Sequence, residues 1–219
     1  MDALDYVLPA AAELLRRVDA VLGQTGAPAG HPVLELLREL GALPGDAVGA
    51  VAALRPGPLA TVRDQLRPLV QAYGSAAAAA GGQVAWSGPA AQAYAHRAGA
   101  LASQLGDGGS SRLIDTVAFA EALAAWMVTA RTTLARTLAQ VLASAEAVSL
   151  TVISADWLPP EARLAAADIG AEVLGVIAAA YDDAQRLDGA WGRRVAYSRF
   201  VGPCGVGLPT GPDGVSLGG

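Results

Sequence analysis

The chain has no lysine and no asparagine, only two histidines and a single cysteine, Cys204. Each absence excludes something. One cysteine forms no internal disulfide and no cysteine-based zinc site, so it leaves the redox compartment open. Without lysine there is no Walker-type phosphate loop. All fifteen basic residues are arginine, an imbalance that fits the codon bias of a GC-rich genome. They are outnumbered by twenty acidic residues, and no basic patch of the kind a phosphate backbone needs is formed, so nucleic-acid binding is not expected. Aromatic residues are also scarce, at 5%, although 53% of the 219 residues are hydrophobic. The apolar content is therefore alanine, leucine and valine, which points to helices packed through small side chains rather than to an aromatic β core.

What is present is helical periodicity. Residues 4–24 read as an amphipathic helix that ends in "GQTGAPAG", and a short helix at 32–41 is closed by Gly41 and Pro44. After the break "LRPGP", the positions Leu59, Val62, Leu66, Leu69, Tyr73, Ala77, Ala80 and Val84 step by three or four, predicting one helix of about 40 Å at 1.5 Å per residue. A second stripe, Ala91, Tyr94, Ala98, Leu101 and Leu105, follows from Pro89. "GDGGSS" at 106–111 is expected to interrupt it as a flexible tip. The longest periodic run then spans 112–150, and Pro159-Pro160 opens a last helix to about 187, with Asp156 as a turn or N-cap residue. The Gly/Pro-rich end from Val201 is expected to be disordered. The expected organisation is short helices at 1–45, a helical hairpin at 46–155, a packed helix at 156–200 and the tail at 201–219.

Between the two stripes lies Trp86-Ser87-Gly88. A tight turn joining two helices needs a glycine for its backbone, and Pro89 restarts a helix where its missing N–H costs nothing. Trp86 is expected to be buried at this bend, the alternative being an exposed anchor for a partner helix. The fold class expected is all-α: an elongated helical bundle built on a long αα-hairpin with a Trp-x-Gly turn and extra flanking helices.

Residues 57–105, with heptad-like seams, Trp86-Ser87-Gly88 and "PAAQAY" opening the second helix, resemble the WXG family of helical hairpins exported by type VII (ESX-like) secretion systems. Continued through 112–150, the resemblance covers roughly 90 residues. It implies a hairpin that pairs with another such hairpin, often as a four-helix bundle, and that travels through the secretion machinery. This chain departs from the family in being about twice the length of its simplest members. It also lacks the family's export signal, an acidic residue four positions after a tyrosine: Tyr6, Tyr73, Tyr94, Tyr181 and Tyr197 are followed there by Ala10, Ala77, Ala98, Gln185 and Val201.

Chemistry is hard to place on this sequence. His31 and His96 lie far apart, and Cys204 falls in the tail, so a Cys/His pair has no rigid frame. His96 reads as a solvated surface residue. Gly205-Val206-Gly207 and Gly211 lack the strand and helix a phosphate loop requires. The carboxylates are single apart from Asp182-Asp183, so no catalytic residue, metal site or cofactor is expected. Trp191, Arg193 and Arg194, with Arg199 and Phe200, form a small basic-aromatic group that either terminates the last helix or contacts an acidic partner. Asp2 and Asp5 stand where a Sec signal would be positive, so no signal peptide is expected, and Asp168 and Glu172 interrupt the apolar run 164–181. The expectation is a non-enzymatic protein, made soluble, secreted by a Sec-independent route or cytoplasmic before export, partnered by another Trp-x-Gly hairpin protein or by itself. Two further readings are a targeting domain of a polymorphic toxin without its catalytic part, and a cytoplasmic helical scaffold or chaperone.

Overall fold

The computed structural model describes residues 1–82, 85–152 and 159–196. Among them every regular element is a helix: α1 (Ala3–Thr25), α2 (Val33–Leu40), α3 (Pro44–Ala52), α4 (Pro56–Ala60), α5 (Val62–Ala80), α6 (Pro89–Ser103), a π-helical stretch (Gln104–Ser110), α7 (Ser111–Leu142), α8 (Ala145–Val152) and α9 (Pro160–Ala196). The chain divides into two compact units. One takes Met1–Arg63 and Val117–Gly192; the other takes Asp64–Thr116 and Arg193–Gly219, of which the last described residue is Ala196. The expected tail and Asp156 lie outside the described residues.

The first unit holds the core. In α1 the buried residues Leu4, Ala11, Leu14, Leu15, Val18, Val21 and Leu22 recur at helical spacing, and they pack with Val33, Val48, Leu134, Leu138, Val141, Leu174 and Ile177 of α2, α3, α7 and α9. Aliphatic side chains make up the core cluster of this unit, as the scarcity of aromatics requires. Gly170 of α9 lets the helices approach closely: a Cβ there would sit 3.1 Å from both Leu22 Cδ1 and Val33 Cγ2.

One buried charge organises the helix ends. Arg131 of α7 is 3% exposed and uses its whole guanidinium. Nε donates to Asp2 Oδ2 at 2.5 Å, and Nη2 donates to Asp2 Oδ1 at 3.0 Å and Asp5 Oδ1 at 2.7 Å. Nη1 donates to the carbonyls of Ala52 (2.7 Å), Leu54 (3.2 Å) and Val51 (3.4 Å), where α3 ends. Asp2 is at the same time the N-cap of α1, accepting from Asp5 N–H at 3.1 Å while its own N–H donates to Asp5 Oδ2. A helix start, a helix end and an interior helix thus share one side chain. Hydrogen bonding from Arg131 holds the Asp2 carboxyl down at about 2. Asp5 is lowered as well, first by the Asp2 backbone N–H and then by Arg131.

The structure departs from the sequence expectation in several places. The segment after Pro44 is helix α3 rather than a stop: Pro44 occupies its first turn, and Asp19 of α1 accepts from Gly45 N–H at 3.1 and 3.2 Å. The 40 Å helix expected from Pro58 is two pieces, broken at Thr61, and it ends at Ala80, with Pro68 inside it removing one backbone donor. The run 112–150 breaks at Ala143-Ser144, where Ser144 Oγ accepts from Ala147 N–H at 3.2 Å and restarts the chain as α8. The glycine-rich 106–111 segment is not an interruption, because helical structure runs unbroken from Pro89 to Leu142. The last helix continues through Trp191 and Gly192 to Ala196 instead of stopping near 187.

Replacing Arg131 by methionine should cost about 3 kcal/mol, the low end for breaking a buried ion pair, since Asp2 and Asp5 keep 44% and 35% of their side-chain surface in water. A carboxyl whose folded pKa is lowered stabilises the fold above its unfolded value and loses that contribution as pH falls through the folded one. Urea unfolding of the wild type in high salt, which screens the exposed Glu13 pairs with Arg16 and Arg17, should therefore weaken between about pH 4 and about pH 2. In Arg131→Met that dependence should flatten; an unchanged profile would show that Asp2 does not rely on Arg131.

Candidate helical interaction site

The second unit is a helical hairpin with almost nothing inside it. No residue of α5 is buried, and in α6 only Ala91 is. Its register follows from close approaches. A Cβ at Gly81 would lie 3.6 Å from Ala102 Cβ, one at Gly106 would lie 3.8 Å from Ala77 Cβ, and the Tyr73 ring covers Gly109. The partners run in opposite senses along the two limbs, which are therefore antiparallel, as an αα-hairpin requires.

This register has a consequence for α6. Because Gly81, one residue past the end of α5, is level with Ala102, residues 89–101 run about 20 Å beyond α5 at 1.5 Å per residue. Among the described residues of this unit no helix lies along that overhang. Residues 81–88 connect α5 to α6.

At the far end of that connection stands the Trp-Ser-Gly turn. Gly88 has φ 111°, a conformation L side chains rarely adopt, and Pro89 follows in the first turn of α6. Trp86, expected to be buried at the bend, is 51% exposed. It lies against Tyr94, ring centroids 6.2 Å apart at 49°, and Tyr94 is itself 53% exposed. The reason is the offset of the limbs: the turn lies past the end of α5, so no second helix covers the indole. Leu69, Tyr73 and Leu101 are also exposed on the hairpin, while Ser87 is exposed in the turn. The stripes read from the sequence are real periodicities, but in this unit they form surface.

Charge on this surface is sparse and of one sign. From Gln65 to Gly106 there is no acidic residue, and the only formal cations are Arg67 and Arg97. His96 is exposed, as its helical position suggested.

The other residues singled out in the sequence lie elsewhere. Trp191 packs on Phe119 of α7, centroids 5.7 Å apart, and is partly buried. Arg193 and Arg194 continue α9, and their side chains fall outside the described residues. His31 is 12% exposed, with Nε2 3.0 Å from Asp168 Oδ1 and Nδ1 accepting from Val33 N–H at 3.2 Å, so it ties the start of α2 to α9. Cys204 lies outside the described residues. Among the described residues no three of His, Cys, Asp and Glu converge as metal ligands do. Sequence reading passed over Arg131, although its position falls on the buried face between Met127 and Leu134, where an arginine must find partners.

Comparison of the chain with protein-family models, with curated proteins and with solved structures finds no match. Two helical stretches, Pro89–Leu142 and Pro160–Gly192, are long and apolar enough by length and composition to cross a membrane. The most apolar window of the first is only 17% buried, against 50% for the second.

Since Trp86 is half exposed, Trp86→Ala should cost about 1 kcal/mol, the value of one aromatic pair, rather than the several lost when a core tryptophan is removed. Thermal unfolding followed by circular dichroism checks this. A drop of several kcal/mol would show that the indole is covered in solution.

Proposed function

We propose that this protein acts by helix–helix association rather than catalysis, using the face of α6 that carries Trp86 and Tyr94 to take up a helix of another hairpin protein. One observation carries the reading: a tryptophan and a tyrosine, both half exposed, flank an α6 overhang with no helix beside it. Exposed Trp and Tyr are the residues that most often anchor an interface. The alanines and glycines around them let a partner backbone come close, as helix pairs in which small residues line the seam do. The lack of any acidic residue from Gln65 to Gly106 suits a partner helix that brings a carboxylate to Arg97. It disfavours self-pairing of α6 in antiparallel fashion, which would set Arg97 near its own copy.

By its Trp86-Ser87-Gly88 hairpin the protein is proposed to belong to a type VII (ESX-like) secretion system, as an exported substrate or as a secretion-associated partner. Since no tyrosine has an acidic residue four positions on, the partner is proposed to carry the export signal.

Size-exclusion chromatography with light scattering tests the pairing, using the purified chain and a co-encoded Trp-x-Gly hairpin protein. The expected result is one complex of defined stoichiometry, weakened at least tenfold by Trp86→Ala while the melting temperature falls by only about 2–4 °C. Two outcomes overturn it: a monomer that ignores the hairpin protein, or a chain that ignores it and floats with phosphatidylglycerol vesicles.

A further inference from the structure

The helical run from Pro89 to Leu142 is 54 residues long, and it contains one segment built unlike the rest. Gln104–Ser110, "QLGDGGS", is π-helical. The wider turn makes poorer hydrogen bonds than an α-helix, and π stretches in long helices are places where the helix gives. Three of its seven residues are glycine, and each costs roughly 1 kcal/mol of helix stability relative to alanine.

Only one of these glycines has a packing reason. A Cβ at Gly109 would strike the Tyr73 ring. At Gly108 the same atom would meet open space, and at Gly106 it would make an ordinary 3.8 Å contact with Ala77 Cβ. Neither has a positive φ. In a chain that places alanine freely along its helices, two glycines remain where alanine would fit and would stabilise. The polar groups at the C-terminal edge of the segment are also poorly satisfied. Ser110 Oγ and Arg112 Nε are buried without a hydrogen-bond partner among the described residues, and each such group lowers the cost of opening. On the N-terminal side, α6 has only Ala91 buried, so its movement would expose little that is now covered.

We infer that Gln104–Ser110 is a built-in hinge, at which α6 bends away from the line of α7. The straight state is held by Tyr73 over Gly109 and by Ala77 beside Gly106; the bent state releases both contacts and gives Ser110 and Arg112 access to water. This device is intrinsic to the chain. It stands or falls independently of whether α6 has a helical partner.

Double electron–electron resonance on spin labels at Arg97→Cys and Thr116→Cys, in a Cys204→Ser background, measures the hinge directly. Thr116 is exposed on α7, and Arg97 is exposed on α6. A straight helix separates the two backbones by about 28 Å at 1.5 Å per residue. The wild type should show that distance together with a shorter, broader population. Adding Gly106→Ala and Gly108→Ala should collapse the distribution onto the long distance and raise the melting temperature. Gly108→Ala alone, which enters open space, should shift it part of the way. A single narrow distance in the wild type overturns the hinge, and so does a broad distribution that the alanines leave unchanged.

Discussion

The structure depends on a rule about helix ends: a buried C-terminus must have its last carbonyls satisfied, and here arginine does it. Arg131 reaches the end of α3 from α7 and simultaneously holds the Asp2 cap of α1, while Arg55 Nη1 donates to the same Ala52 carbonyl from the next loop. Arg17 of α1 donates to the carbonyls of Leu150 and Thr151 near the end of α8, at 3.1 and 3.2 Å. Arg163 of α9 reaches the Thr25 carbonyl as α1 closes. A guanidinium presents five N–H donors in a planar fork, which serves two helix termini at once; an ammonium on a flexible stem offers no such geometry. The absence of lysine, whatever its genomic origin, thus leaves the first unit held by the cation best suited to it.

How much of this was legible follows from where the deciding interactions are. The all-helical character, the span of α1 and the Gly41 stop of α2 were readable, since periodicity and left-handed glycine are local signals. Helix α3 was not, because Pro44 signals a stop as readily as a start, and the contact that selects the start is made by Asp19, twenty-six residues away. Pro68 and Ser144 are local signals too, but the apolar stripe continues past both and hides them. Trp86 was misplaced for another reason. A sequence gives the position of a turn but not the offset of the two limbs, and it is the offset that leaves the indole uncovered.

The two units divide the physical work. In the first, aliphatic side chains from α1, α2, α3, α7, α8 and α9 form the core. In the second, the same kind of periodic sequence yields exposed surface, with aromatics at the turn and few charges. An apolar stripe that meets no helix of its own unit is surface open to association, and this is the physical ground for proposing a partner for the hairpin.

Residue-resolved hydrogen exchange tests that division most directly. The account predicts that amides in α1, the Ala130–Val141 part of α7 and the Ala162–Ile177 part of α9 exchange only by global unfolding, while those of α5 and α6 exchange at least a hundredfold faster in the isolated protein. Hairpin amides as slow as those of the core would contradict it, because they would mean that α5 and α6 already have the cover that the account assigns to a partner.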